Sequence, residues 1–220
     1  MSTETIEQKK PEVKEALFSK RRKKFVTDPL NEDNPITVQV LGICSALAIT
    51  IKMEPSLIMA IAVVFVIVFS NLIISLIRNF VPNRVRIIVQ LAVIATLVTL
   101  VSELLKAYNY EMYKVLGAFV GLIITNCIVM GRLEAFAMGN KPYDSVLDGL
   151  GSGLGYAWIL LTVSFFRELF GSGAVFGFEV FKAIGLSIPN NSLMVDSIGA
   201  FMVLGIIIWI QRSKTGYVEH

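Results

Sequence analysis

SLIMAIAVVFVIVFSNLIISLI, residues 56–77, carries no charged side chain over 22 positions. At 1.5 Å rise per residue such a run makes a helix of ~33 Å, enough to cross the hydrocarbon core of a bilayer. A soluble helix of that length would show a polar face, so this stretch predicts a transmembrane helix. Five more apolar stretches flank it, at 36–52, 86–105, 112–130, 149–166 and 193–211. Hydrophobic residues make up 55% of the 220-residue chain, and its mean hydropathy is +0.68. Both values point to an integral membrane protein rather than a soluble globule.

The expected fold is therefore all-α, with six transmembrane helices in one membrane domain over 36–211. A charged extension, 1–35, precedes it, and a short tail, 212–220, follows. The extension has no apolar core of the secretory-signal kind. Its Lys20-Arg21-Arg22-Lys23-Lys24 cluster reads as a cytoplasmic anchor beside anionic membrane lipid. With the N-terminus inside, fifteen of the 20 basic residues fall on the inner side. Lys52, Lys106, Lys114, Arg167 and Lys182 fall outside. The bias places both termini in the cytoplasm. The net charge of +3 comes largely from the extension and gives no indication of nucleic-acid binding.

Three helices per half would invert the second half relative to the first. Val40-Leu41-Gly42 and Val115-Leu116-Gly117 recur, as do Ser75-Leu-Ile-Arg78 and Ser164-Phe-Phe-Arg167. These matches suggest a 3+3 inverted-topology repeat. The first and fifth apolar stretches are short or glycine-interrupted, and the first and fourth helices are expected to be broken. Broken helices at corresponding positions of such repeats commonly surround a midplane site.

Cys44 and Cys127 are the only cysteines, each inside an apolar run: LGICSALAIT (41–50) and GLIITNCIVMGR (121–132). Thiolate sulfur is a soft ligand for iron–sulfur clusters, zinc or copper(I). A cysteine in a membrane helix also serves as a small apolar side chain, and both readings stand on sequence. A disulfide is disfavoured in a cytoplasmically anchored membrane interior. Counting from Ile36 and Val115, each sulfur falls about 12 Å from the inner face, so the pair would share one level. Gly42 and Gly121 would let the backbone bend around a bulky group.

Two carboxylates sit near the spans. Glu103 lies in the last turns of the third, with Lys106 three residues on as a same-face partner. Asp148 lies at the mouth of the fifth, where it reads as an ion-pathway carboxylate or a helix cap. Arg132-x-Glu134 and Arg167-Glu168 read as interfacial anchors with local ion pairs. Gly149-Leu-Gly-Ser-Gly-Leu-Gly155 lacks the strand and the Gly-Lys-Ser/Thr of a phosphate loop. Its small residues four apart instead suit close helix–helix contact. His220, the sole histidine, is at the C-terminal end. No nucleophile triad, zinc motif or nucleotide fingerprint occurs, so catalysis by this chain alone is not expected.

DNPITVQVLGICSALAIT (33–50), RIIVQLAVIA (86–95), GLIITNCIVMGRLEAFA (121–137) and LDGLGSGLGY (147–156) resemble the D-type subunits of bacterial sodium-translocating NADH:quinone oxidoreductases. The resemblance runs from about residue 30 to 210. The related E-type subunit of the Rnf ferredoxin:NAD oxidoreductases typically has proline after its first cysteine, whereas Ser45 follows Cys44 here. The resemblance implies six helices in a 3+3 inverted repeat and inverted pairing with a homologous E-type subunit, alongside the A-, B-, C- and F-type subunits. It implies that Cys44 and Cys127 are iron ligands of an intramembrane [2Fe–2S] cluster shared with that E-type partner. Electrons would pass from the NADH/FAD module toward the flavin of the C-type subunit. NAD, FAD, FMN, riboflavin and ubiquinone would be bound by other subunits. Asp148 and Glu103 match acidic positions linked to Na+, and the location implied is the bacterial cell inner membrane. The alternatives are an Rnf-type subunit, a non-redox scaffold or a metal permease.

Overall fold

The computed structural model describes residues 34–82, 84–108, 110–117, 119–172 and 196–215, together with Thr27, Pro29, 174–175 and 178–179. The Lys20–Lys24 cluster, most of the extension, and His220 lie outside the described residues. The helices are α1 (Ile43–Ile49), α2 (Met53–Ile77), α3 (Arg86–Tyr108), α4 (Tyr110–Leu116), α5 (Val120–Ile124), α6 (Cys127–Arg132), α7 (Pro142–Ser172) and α8 (Ser197–Thr215). A π-helical turn, Leu133–Ala137, continues α6. Two short antiparallel strands pair Ala174 with Glu179 and Val175 with Phe178.

Among the described residues three helices are long and apolar enough to cross a membrane: Met53–Ile77, Arg86–Tyr108 and Pro142–Gly171, with Ser197–Ser213 shorter. The other two apolar stretches are not continuous helices. Residues 34–42 form turns, so the first stretch is helical only over Ile43–Ile49. The fourth is divided among α4, α5 and α6. The fifth is longer than its apolar run, because α7 begins at Pro142 and carries the whole glycine run in its interior. The last helix extends to Thr215, into the segment expected as tail.

Helices α2 and α7 form the central pair and run antiparallel. Asn71 Nδ2 donates to the Ser145 carbonyl at 3.0 Å, Gly149 faces Ile67 and Asn71, Gly153 faces Val64, and the Met53 N–H meets Glu168. The buried face of α2 follows helical periodicity through Met59, Val63, Val66, Ser70 and Ile74; that of α7 runs through Ser145, Ser152, Tyr156, Ile159 and Val163. The small residues four apart therefore do what their spacing suggested. A Cβ on Gly153 would sit 3.3 Å from Val64 Cα, so the backbones approach as only glycine allows. Helix α3 packs on α2, and α8 packs on α7 and α1.

Main-chain groups at the breaks have no water to bond in a bilayer and must be satisfied internally. Asn34, fully buried, accepts from the N–H groups of Ile36 (3.0 Å) and Thr37 (3.4 Å) and donates to the Gly155 carbonyl at 3.2 Å. At the α1–α2 corner, Ser56 Oγ donates to the carbonyls of Ile49 (3.1 Å) and Lys52 (2.7 Å). Glu168 Oε2 accepts from the Met53 N–H at 2.6 Å and so caps α2. Pro55 and Pro142 occupy first helical turns, where a missing N–H costs least.

Gly155 tests this packing, because a Cβ there would run into the Pro29 carbonyl oxygen. Gly155→Ala is expected to destabilise the fold by about 1–3 kcal/mol through overpacking. Gly205→Ala, with no atom within 4 Å of the added carbon, is expected to be neutral or slightly stabilising. Thermal denaturation of the detergent-purified variants measures both.

Candidate functional site at the paired cysteines

Gly42, with φ 84°, turns the chain into α1, a left-handed conformation that suits a residue without Cβ. Cys44 then lies in the first turn of α1. Asn126, in an extended conformation with ψ 119°, interrupts the helix before α6, and its side chain caps the Ile128 N–H at 3.3 Å. Cys127 is the first residue of α6. Both breaks thus directly precede a cysteine-bearing helix. The second is made by Asn126 and not by Gly121, which sits inside α5 with open space around it.

A hydrogen bond joins chain neighbours of the two cysteines. Asn126 Nδ2 donates to Ser45 Oγ at 3.3 Å, linking the residue before Cys127 to the residue after Cys44. Ser45 Oγ lies 2.7 Å from the Tyr156 hydroxyl and donates to the Gly42 carbonyl at 2.8 Å. Ser45, Asn126 and Tyr156 are all buried, whereas both thiols are exposed and unoxidised. A polar knot lies inside, and two sulfurs face out of the chain.

The Ser45–Asn126 bond holds the chain neighbours of the two cysteines close together, but counting from Ile36 does not account for it. Residues 36–42 are not helical, so that count fails. Tyr156 sets the depth instead, about 21 Å along α7 from Pro142 and about 16 Å from Arg167, near the middle of the helix. Ser45, Asn126 and Tyr156 do not stand out on sequence. The available signals were an asparagine inside the apolar run of GLIITNCIVMGR and a tyrosine directly after the glycine run.

The structure does not bring the carboxylates together. Asp148 is 1% exposed and sits two turns inside α7, so it is no helix cap. Its carboxylate receives Arg132 Nε at 3.0 Å and Arg132 Nη2 as well, a bidentate pair. Arg132 thus pairs with Asp148 rather than with Glu134. Glu134 lies inside the π-helical turn, meets Arg86 and accepts from Gln90 Nε2 at 3.0 Å. Glu103 lies about 26 Å along α3 from Arg86. It is 3.8 Å from Lys106, and both side chains are about half exposed or more. Arg167 and Glu168 do not form a surface anchor: both are buried and bonded to other elements.

Asp148→Asn is expected to leave the part-buried Arg132 guanidinium without its counter-charge, costing about 2–4 kcal/mol. Replacing both partners with apolar residues of similar volume is expected to recover most of that loss. The fraction of folded protein after heating in detergent, in each variant, checks both expectations.

Residues 22–208 match the family described as Rnf-Nqr subunit, membrane protein. The chain is 54% identical over 204 residues to the D subunit of the Na(+)-translocating NADH-quinone reductase of Pasteurella multocida, covering 91% of this chain and 98% of that protein. It is also 54% identical over 196 residues to the protein of the same name from Photobacterium profundum, covering 88% and 93% respectively. With its apolar helices and this match along most of its length, the chain belongs to the Rnf-Nqr family of membrane-protein subunits.

Proposed function

We propose that this chain is the D-type subunit of a sodium-translocating NADH-quinone reductase in a bacterial inner membrane. In this reading Cys44 and Cys127 supply two of the four thiolates of a [2Fe–2S] cluster, and a homologous, oppositely oriented E-type subunit supplies the others. The observation that carries it is the pair of exposed thiols whose chain neighbours, Ser45 and Asn126, are joined by a hydrogen bond. Among the described residues no group of three or more His, Cys, Asp or Glu is placed to hold a metal. Two thiolates at the surface suit half of a shared four-thiolate site. The relatives' names supply the NADH, quinone and Na+ of the assembly.

The cluster, when bound, supplies a one-electron carrier between the NADH/FAD module and the flavin of the C-type subunit. The chain's own part is to hold iron through two sulfurs whose spacing is fixed by Ser45, Asn126 and Tyr156. In a low-dielectric core, added negative charge favours cation entry nearby, which ties electron passage to Na+ movement. Asp148, buried and ion-paired, is the stronger candidate for that route; Glu103 stands toward the opposite membrane face.

The six-span, 3+3 inverted reading draws support from the central pair. Met53 and Pro142 begin its two helices, and Arg78 and Arg167 occupy equivalent places near their ends. Each arginine reaches across to the other half: Arg78 to the Asn140 carbonyl, Arg167 to Leu47 and Thr50. The broken segments α1 and α4–α6 would then be the first and fourth spans, with both termini cytoplasmic.

Iron content and low-temperature EPR of the purified complex test the central claim. Cys44→Ser and Cys127→Ser are each expected to remove about one two-iron centre while the other subunits remain associated. Unchanged iron and signal in an intact assembly would return both cysteines to a packing role.

A further inference from the structure

Arg167 is 2% exposed on the membrane-spanning helix α7. A buried guanidinium in such a place is costly unless its donors are used. Among the described residues its donors reach two elements. Nη1 donates to the Leu47 carbonyl at 3.2 Å and to Thr50 Oγ1 at 2.7 Å, at the C-terminal end of α1. Nη2 donates to the Asp196 carbonyl at 3.1 Å, where α8 begins. The last carbonyls of a helix have no intrahelical partner and favour a nearby cation. Arg167 supplies both the donor and the charge.

Helix α1 has only seven residues and cannot persist on intrinsic propensity. It is held at both ends by one face of α7. Tyr156 meets Ser45 at its start, and Arg167 grips its end. Tyr156 and Arg167 are eleven residues apart, about three turns, so they project from the same side of α7. Cys44 lies about 7 Å along the helix axis from Ile49, close enough that a shift of the C-terminal end is felt at the sulfur.

We infer that Arg167 is a positioning residue for Cys44: by capping the carbonyl end of α1 it sets where that thiolate meets the shared cluster. The inference rests on the proposed ligand role of Cys44. It assigns a redox-tuning task to a residue more than 100 positions away in sequence, one that acts through the helix it caps rather than on the sulfur itself.

The test uses the whole purified complex, with iron content, EPR g-values and a redox titration of the two-iron signal. Arg167→Gln is expected to keep iron at or near the wild-type level. Its g-values should shift, and its reduced-to-oxidised ratio at the wild-type midpoint should move at least about threefold from unity. Arg167→Lys, which keeps the charge but fewer donors, is expected to move in the same direction by less. Thr50→Val, which removes one acceptor and leaves the arginine in place, does likewise and serves if Arg167→Gln does not assemble. Signals identical to wild type in Arg167→Lys and Thr50→Val, at equal iron, would overturn the positioning role while leaving the cluster assignment intact. A wild-type complex without two-iron signal would instead refute the cluster assignment itself.

Discussion

An interrupted helix inside a bilayer leaves N–H and C=O groups that lipid cannot bond, and both cysteine-bearing segments of this chain are interrupted. Much of the rest of the architecture answers that constraint. Asn34 and Asn126 supply side-chain acceptors at two of the breaks. Ser56, Thr50 and Arg167 serve the end of α1, and Glu168 serves the start of α2. Three of these six partners, Ser56, Arg167 and Glu168, come from the antiparallel α2–α7 pair, whose close contact depends on glycines at one face. The long helices act as a rigid frame that makes short, irregular helices tolerable at membrane depth.

The irregularity has a geometric benefit. In a continuous helix the main chain is fully engaged in its own hydrogen bonds, and a side chain points where the helix phase directs it. Ending one helix and starting another at Gly42 and at Asn126 re-aims the residues that follow. Here both re-aimed first turns carry a cysteine, and polar side chains beside the breaks bond to one another. A single knot of Ser45, Asn126 and Tyr156 thus ties together the neighbours of two cysteines that are 83 positions apart in the chain.

The long helices were legible in the sequence because length and absence of charge leave a run such as 56–77 little choice in lipid. The glycine run was legible for a related reason: spacing of four is a statement about one helix face. The broken segments were legible only as short or glycine-bearing; the sites of the breaks were not. Gly42 declared itself, but Gly121 misled, since a glycine permits a bend without requiring one. Asn126 makes the second break through a side-chain hydrogen bond that composition does not display. Charged residues were read with their chain neighbours, Arg132 with Glu134 and Arg167 with Glu168. Tertiary contacts assigned them otherwise, because in a low-dielectric core a buried charge takes the best partner in space rather than the nearest in sequence.

Two exposed thiols at the start of short helices also bear on how the chain is made. Before any neighbour covers them, Cys44 and Cys127 are open to oxidation, to mixed disulfides and to adventitious soft metals. The same knot that holds them in register keeps them from retreating into the core. If the thiols hold a shared cluster as proposed, a newly inserted copy has a limited interval in which it remains competent to take it up. The rate at which its surface is covered, relative to the rate at which its sulfurs are modified, sets the yield of useful protein.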